Sequence, residues 1–308
     1  MQGRGVPGVR RTTRQYNRGL PLGSLSRSNM RKNLLGLDHA ILRVADLDRA
    51  AADFGRLGFT LSPRGRHSLG TENHCLMFGF DYLELLWVPP GVQPPFYADF
   101  PLGVEGMTGL ALKTDDAAAL RRAWDDSALE PGPLLEFSRL VDEGNGVRRD
   151  ARFRAVALPA GRTPGGRAFA CQHFTPDLVW RRGLRRHANQ VTGINKVVIA
   201  ASDPAATGWL WGQVFDVPRH PIPGGIAINT GAAPIVILTP DALAKQLPGI
   251  DVPQVTGPAA YAALYLSTGD LALAAAALRA GGAHPVPLPD GSLALQPAAA
   301  HGITLVFK

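Results

Sequence analysis

The sequence predicts an α+β protein made of paired βαβββ modules that form cupped mixed sheets, four modules in two tandem domains. Two observations carry this prediction. A short apolar strand beginning after Gly36 leads into a helix started by Asp46, and three short strands follow within about fifty residues. The pattern then returns at offsets of 70, 157 and 224 residues, where Asp46 becomes Asp116, Asp203 and Asp270. Identity between the repeats is low, but four in register are hard to produce by accident.

Each element has a local reason. Residues 37–44 are aliphatic and bounded by Gly36 and Asp46, which reads as a strand. Asp46 is an N-cap for a helix over 47–57 that Gly58 stops. Strands are expected over 59–62, 74–78 and 82–88, with a loop over 63–73. In the later modules, helices are expected at 117–124 and 271–280, and last strands at 168–174, 234–238 and 303–307. A sheet with helices on one face leaves the other face open, so two modules side by side give a concave surface able to hold a ligand.

The expected organisation is a disordered basic leader over 1–34, a first domain over 35–178, a linker over 179–192 and a second, degenerate domain over 193–308. The leader explains the net charge of +7. Residues 1–33 hold eight cations and no acid, so the remainder of the chain sums to −1. A near-neutral body argues against nucleic-acid binding. No apolar run approaches the roughly 18 residues needed to span a bilayer, which excludes an integral membrane protein. The leader offers no apolar core for a signal peptide, so a cytoplasmic location is expected. Two cysteines cannot build a disulfide framework or a four-thiolate zinc site.

Period two places Leu37, His39, Ile41 and Arg43 on one strand face, and Tyr82, Glu84, Leu86 and Val88 on another. Glu84 sits mid-strand among apolar residues, and a lone buried carboxylate needs a partner. A metal, an arginine or solvent would satisfy it. On the last strand of the second module, His173 is in phase with Phe169 and Cys171. Two imidazoles and one carboxylate suit Fe(II), Mn or Zn with open positions for substrate. The equivalents of His39 elsewhere are Gly109, Lys196 and Ala263, so any site falls within residues 37–174. Arg64, His67, Asn73 and His74 are candidate substrate contacts, as is Trp180 near the seam between domains. A polar surface loop and plain packing are the competing readings of these residues.

The runs Leu37-Asp38-His39, Asp46-Leu47, Leu57-Gly58-Phe59, Gly70-Thr71-Glu72-Asn73-His74 and Tyr82-Leu83-Glu84-Leu85-Leu86 resemble a glyoxalase-like domain of the vicinal oxygen chelate superfamily. The run from Cys171 to Trp180, with His187-Ala188-Asn189, resembles the same subgroup. The resemblance implies paired βαβββ modules and one divalent ion (Fe, Mn, Zn or Ni) on first-strand and last-strand ligands. Carried over, His39 and Glu84 are the ligands of the first module and His173 falls near that of the second. Gly109 departs from the pattern and removes one ligand. The implied function is a metal-dependent lyase, isomerase or dioxygenase acting on a small molecule, with Glu84 as ligand or base and a homodimer possible. The alternative is a metal-free binding protein of the bleomycin-resistance type.

Overall fold

The structure is a computed structural model that describes residues 30–95, 105–144, 146–252, 255 and 257–308. The early part of the expected leader lies outside the described residues. Two eight-stranded mixed sheets organise the described residues.

The first sheet is formed by β1 (Leu34–Arg43), β2 (Gly65–Arg66), β3 (Glu72–Met77), β4 (Tyr82–Trp87), β5 (Gly106–Thr114), β6 (Leu134–Gly144), β7 (Val147–Ala157) and β8 (Arg167–His173). Their order is β2-β3-β4-β1-β5-β8-β7-β6. Thus β1 runs parallel to β4 and antiparallel to β5, and each module contributes half of the sheet. The helices α1 (Leu47–Arg56) and α2 (Ala117–Asp125) cover one face, and the short α3 (Pro176–Val179) follows β8. The second sheet repeats the arrangement with β9 (Val191–Ala201), β10 (Arg219–Ile222), β11 (Gly225–Ile228), β12 (Ile235–Leu238), β13 (Ala259–Thr268), β14 (Val286–Pro287), β15 (Leu293–Leu295) and β16 (Thr304–Phe307). Its order, β10-β11-β12-β9-β13-β16-β15-β14, matches the first strand for strand.

The four predicted caps are present. Asp46, Asp116, Asp203 and Asp270 each accept backbone N–H groups, starting α1, α2, α4 (Pro204–Phe215) and α6 (Leu271–Ala280). A second repeated feature escapes sequence reading. In the pairing of β1 with β5, Asp38 and Thr108 are each skipped, and in the pairing of β9 with β13 so are Asn195 and Ala262. All four modules therefore carry a bulge at the same place, on the strands where the two halves of each sheet meet. A bulge bends its strand and increases local twist, which curls the sheet into a cup.

Expected strand 59–62 is irregular chain, and β2 forms within the expected loop instead. The bulge also overturns the expected face of Leu37. It packs with Ala40 and Leu42 on the helix side, while Ile41 faces the cup.

The helix layers of the two sheets face each other and share one core, which includes Phe54, Trp124, Trp211, Phe215 and Leu278. The Trp124 indole donates to the Val214 carbonyl and that of Trp211 to Pro164. Arg31, read as part of the leader, is tied down between them. Its guanidinium donates to the carbonyls of Ala123, Gln213 and Val214 and to Ser127. The expected linker keeps its arginines half-buried or exposed, but His187 and Asn189 are buried. His187 bonds Thr60 N and Met77 O, and Asn189 bonds Leu57 O.

The two cups differ. That of the second sheet is filled by its own chain, since Leu243 of α5 (Pro240–Gln246), Leu247 and Ile250 pack onto Val198, Ala200 and Val236. The first sheet curls further towards a barrel. His67 bridges to Arg139 on β6, and Ser68 N donates to Ser138 O at 2.8 Å.

Candidate metal and substrate site

A cavity inside the first cup is lined by His39, His67, Asn73, Glu84 and Arg139 on its polar side. Tyr82, Phe137, Phe153 and Phe169 supply apolar walls. The strands explain why these side chains meet. His39 pairs with Tyr82 and Ile41 with Glu84 across the parallel β1–β4 ladder, which sets His39, Tyr82 and Glu84 on one face. Asn73 and Cys75 face the same way from β3, because Leu76 and Phe78 point to the helices.

His39 and Glu84 are both buried, with Nε2 and Oε2 3.5 Å apart. The other ring nitrogen of His39, Nδ1, lies 2.8 Å from Asp38 Oδ2. That contact orients the ring, which stacks on Tyr82 at 4.3 Å between centroids. Asn73 Nδ2 donates to Glu84 Oε1 at 2.5 Å. His67 Nε2 lies 4.0 Å from the same carboxylate oxygen, while its Nδ1 meets Thr71 Oγ1 at 2.9 Å. Burial, with help from the charges of Arg139 and His39, pushes His67 down to about 4 against the pull of Glu84. The imidazole is therefore neutral near pH 7.

His173 lies elsewhere. Its Nε2 is 2.9 Å from Asp38 Oδ2, the oxygen that holds His39 Nδ1. The Asp38 carboxylate stands between the two histidines, and Lys113 Nζ approaches its other oxygen at 3.3 Å. Burial would raise the Asp38 carboxyl, but the charge and hydrogen bond of His173, with His39 and Lys113, hold it well below the usual carboxylate range. Trp180 closes this end of the cup, with Lys113 over its ring at 4.3 Å and Tyr82 against its edge. Asp38, Cys171 and His173 are the one set of three among the described residues whose ligand atoms all lie within 4.8 Å of one another.

The structure thus brings His39, Glu84, His67 and Asn73 to one cavity. It places His173 and Trp180 behind Asp38. His74 points to the helix side, where its Nδ1 meets Ser62 O at 2.8 Å. Arg64 is engaged outside the cavity by Glu72 and Asp48. Two residues missed by sequence reading matter here. Asp38 reaches the site only through the bulge. Arg139 shares a strand phase with Phe137 and Val141, an alternation visible in residues 134–144.

The donor set suits a divalent ion. At tetrahedral geometry, bonds of about 2.0–2.3 Å put neighbouring ligand atoms about 3.3–3.8 Å apart, which spans the distance from His39 to Glu84. A carboxylate on the far nitrogen of a metal-bound histidine is the usual supporting arrangement, and Asp38 provides it.

Tandem cupped sheets of βαβββ modules, with a histidine and a glutamate facing the first hollow, define a protein of the vicinal oxygen chelate kind. The chain belongs to the glyoxalase-like domain family, which matches residues 37–215. Among curated proteins none matches it in sequence. Solved structures share its fold. A hypothetical protein from Staphylococcus aureus superposes with a TM-score of 0.62 at 14% identity, covering 88% of this chain and 98% of that one. A mutant of 4-hydroxymandelate synthase from Streptomyces coelicolor gives 0.54 at 14% identity, covering 89% and 92%. A xylose isomerase-like TIM barrel/4-hydroxyphenylpyruvate dioxygenase fusion protein gives 0.57 at 13% identity, covering 89% of this chain and 49% of that one. No helix among the described residues is long and apolar enough to cross a membrane.

Proposed function

We propose that the protein is a divalent-metal-dependent enzyme acting on a small molecule bound in the first cup, with His39 and Glu84 as metal ligands. The observation that carries this reading is the 3.5 Å approach of His39 Nε2 to Glu84 Oε2 at the cavity wall. With Nδ1 on Asp38, Nε2 turns a lone pair towards a carboxylate, an arrangement that calls for a cation or a proton between them. A bound ion would supply Lewis acidity to adjacent oxygens of the substrate. Asn73 holds one oxygen of Glu84 and leaves the other free to ligate or to accept a substrate proton. The neutral His67 stands within reach as a further ligand or proton carrier. His173 acts through Asp38, which it helps to fix. Lyase, isomerase and dioxygenase chemistry all start from such chelation, and the name of one structural neighbour favours the last.

A second reading, metal-free binding, draws on the aromatic walls of the cavity. Metal analysis of the full chain, purified without chelators or a polyhistidine tag, separates the two. The enzyme reading expects about one divalent ion per chain, consistent with a single site of this ligand type. A chain that arrives empty and takes up neither Mn, Fe, Zn nor Ni supports the binding reading.

A further inference from the structure

Arg139 is a buried cation with no counter-charge in bonding reach among the described residues. It lies on β6, reaches the cavity between Asn73 and Cys75, and is only 6% exposed. Its Nη1 has two long contacts, 3.4 Å to Asn73 Oδ1 and 3.4 Å to Cys75 Sγ. Its Nε is buried with no acceptor among the described residues. Burial pushes the Cys75 thiol up to about 11, so it stays neutral and supplies no anion. Glu84 is felt at Arg139 through its charge, but its oxygens are taken by Asn73 and face His39. A guanidinium has five donors in a rigid fork, and leaving them unmet in a buried place costs free energy. A folded protein keeps such a group where a ligand completes it.

We propose that Arg139 receives a carboxylate of the substrate, which is therefore a small carboxylic acid with an apolar body. The inference rests on the reading of this cavity as the substrate site and names the substrate class. The planar fork matches a carboxylate in bidentate fashion. Phe137, Phe153 and Phe169 line the same cavity and would take the apolar part. Arg139 also forms a wall of an adjoining outer groove lined by Arg64, Arg66, Arg148 and Arg181; Asp48, Glu72 and Asp142 pair with the first three, which leaves cations in excess. That groove favours the approach of anions.

The test is calorimetric titration of the full chain with phenylacetate, phenylacetamide and phenyl phosphate, with and without added Mn²⁺. Phenylacetate is expected to bind at least about tenfold more tightly than the amide, the difference one charge-assisted pair supplies. In Arg139→Met that ratio should fall to within about twofold, since the fork is gone. Arg139→Lys should fall between, which keeps the test valid if the methionine variant fails to fold. The melting temperature of Arg139→Met should be equal to or above that of the wild type, because an uncompensated buried charge is replaced by an apolar chain. A purely structural arginine would give a clear decrease. Equal binding of phenylacetate and phenylacetamide, tighter binding of phenyl phosphate, or no binding at millimolar phenylacetate overturns the proposal. None of these probes needs the ion, so absence of metal uptake would sink the enzyme reading and leave this result standing.

Discussion

Asp38 and His39 are neighbours in the chain, yet their side chains meet, Oδ2 to Nδ1 at 2.8 Å. In a regular strand they would point to opposite faces. The bulge at Asp38 turns both into the cup. Asp38→Asn is nearly isosteric but removes the carboxylate behind the His39 ring. We expect metal affinity to fall about 10–100-fold, the usual effect of losing such a support. Titration with Zn²⁺ or Mn²⁺ monitored by calorimetry reads it. Unchanged affinity would mean that His39 is oriented by other contacts.

Asp81 gives a pH test. Its carboxyl accepts the Ile194 N–H at 2.9 Å across the two sheets. Burial pushes it up to about 7, against that bond and the pull of Lys113. The native state keeps a proton that the unfolded chain releases near about pH 3.9, so this group lowers stability as pH rises from about 4 to 7. His67, pushed down to about 4, acts in the opposite sense over about pH 4–6.5. Asp81→Asn removes only the first effect. The stability of the variant relative to wild type should therefore rise between pH 4 and 7 by on the order of 1–3 kcal/mol. Denaturant curves that shift in parallel at every pH would contradict the assignment.

Arg31 clamps the helix ends of both halves. Its backbone N–H donates to Phe215 O at 2.9 Å, and its side chain takes up three further carbonyls. Arg31→Ala should cost about 1.5–3 kcal/mol, the range for hydrogen bonds to a charged donor. Thermal melts should show a decrease of several degrees. Removal of residues 2–29 alone, with Arg31 retained, is expected to leave the melting temperature within about 2 °C. A large decrease on that truncation, or none in Arg31→Ala, would reverse the roles given to the two segments.

Much of the fold was legible because it rests on local rules. The aspartate caps at 46, 116, 203 and 270 are short-range chemistry, and their spacing exposed the repeat. Alternation placed Glu84 in phase with Tyr82, and the ladder sets Tyr82 opposite His39, so both polar groups share a face. What failed was whatever depended on register. A single skipped residue at Asp38 reversed the face of Leu37, and no local signal marks that bulge. His74 shares its strand face with Leu76 and Phe78, as expected, but that face packs on the helices and not on the cup, so the expected ligand or supporting role is not met there. Arg139 entered the cup from a hairpin far along the chain, through a bridge to His67 that tertiary closure alone creates.

His39 and Glu84 are proposed to hold a divalent ion in the first cup, and the second cup, filled by its own side chains, is expected to bind none. Calorimetric metal titration of three variants tests it most directly. His39→Ala and Glu84→Ala should each weaken binding by at least about tenfold, as loss of a direct ligand exceeds the loss of a supporting group. Lys196→Ala, at the equivalent place in the second sheet, should match the wild type. Equal metal affinity in all three variants and the wild type would contradict the account.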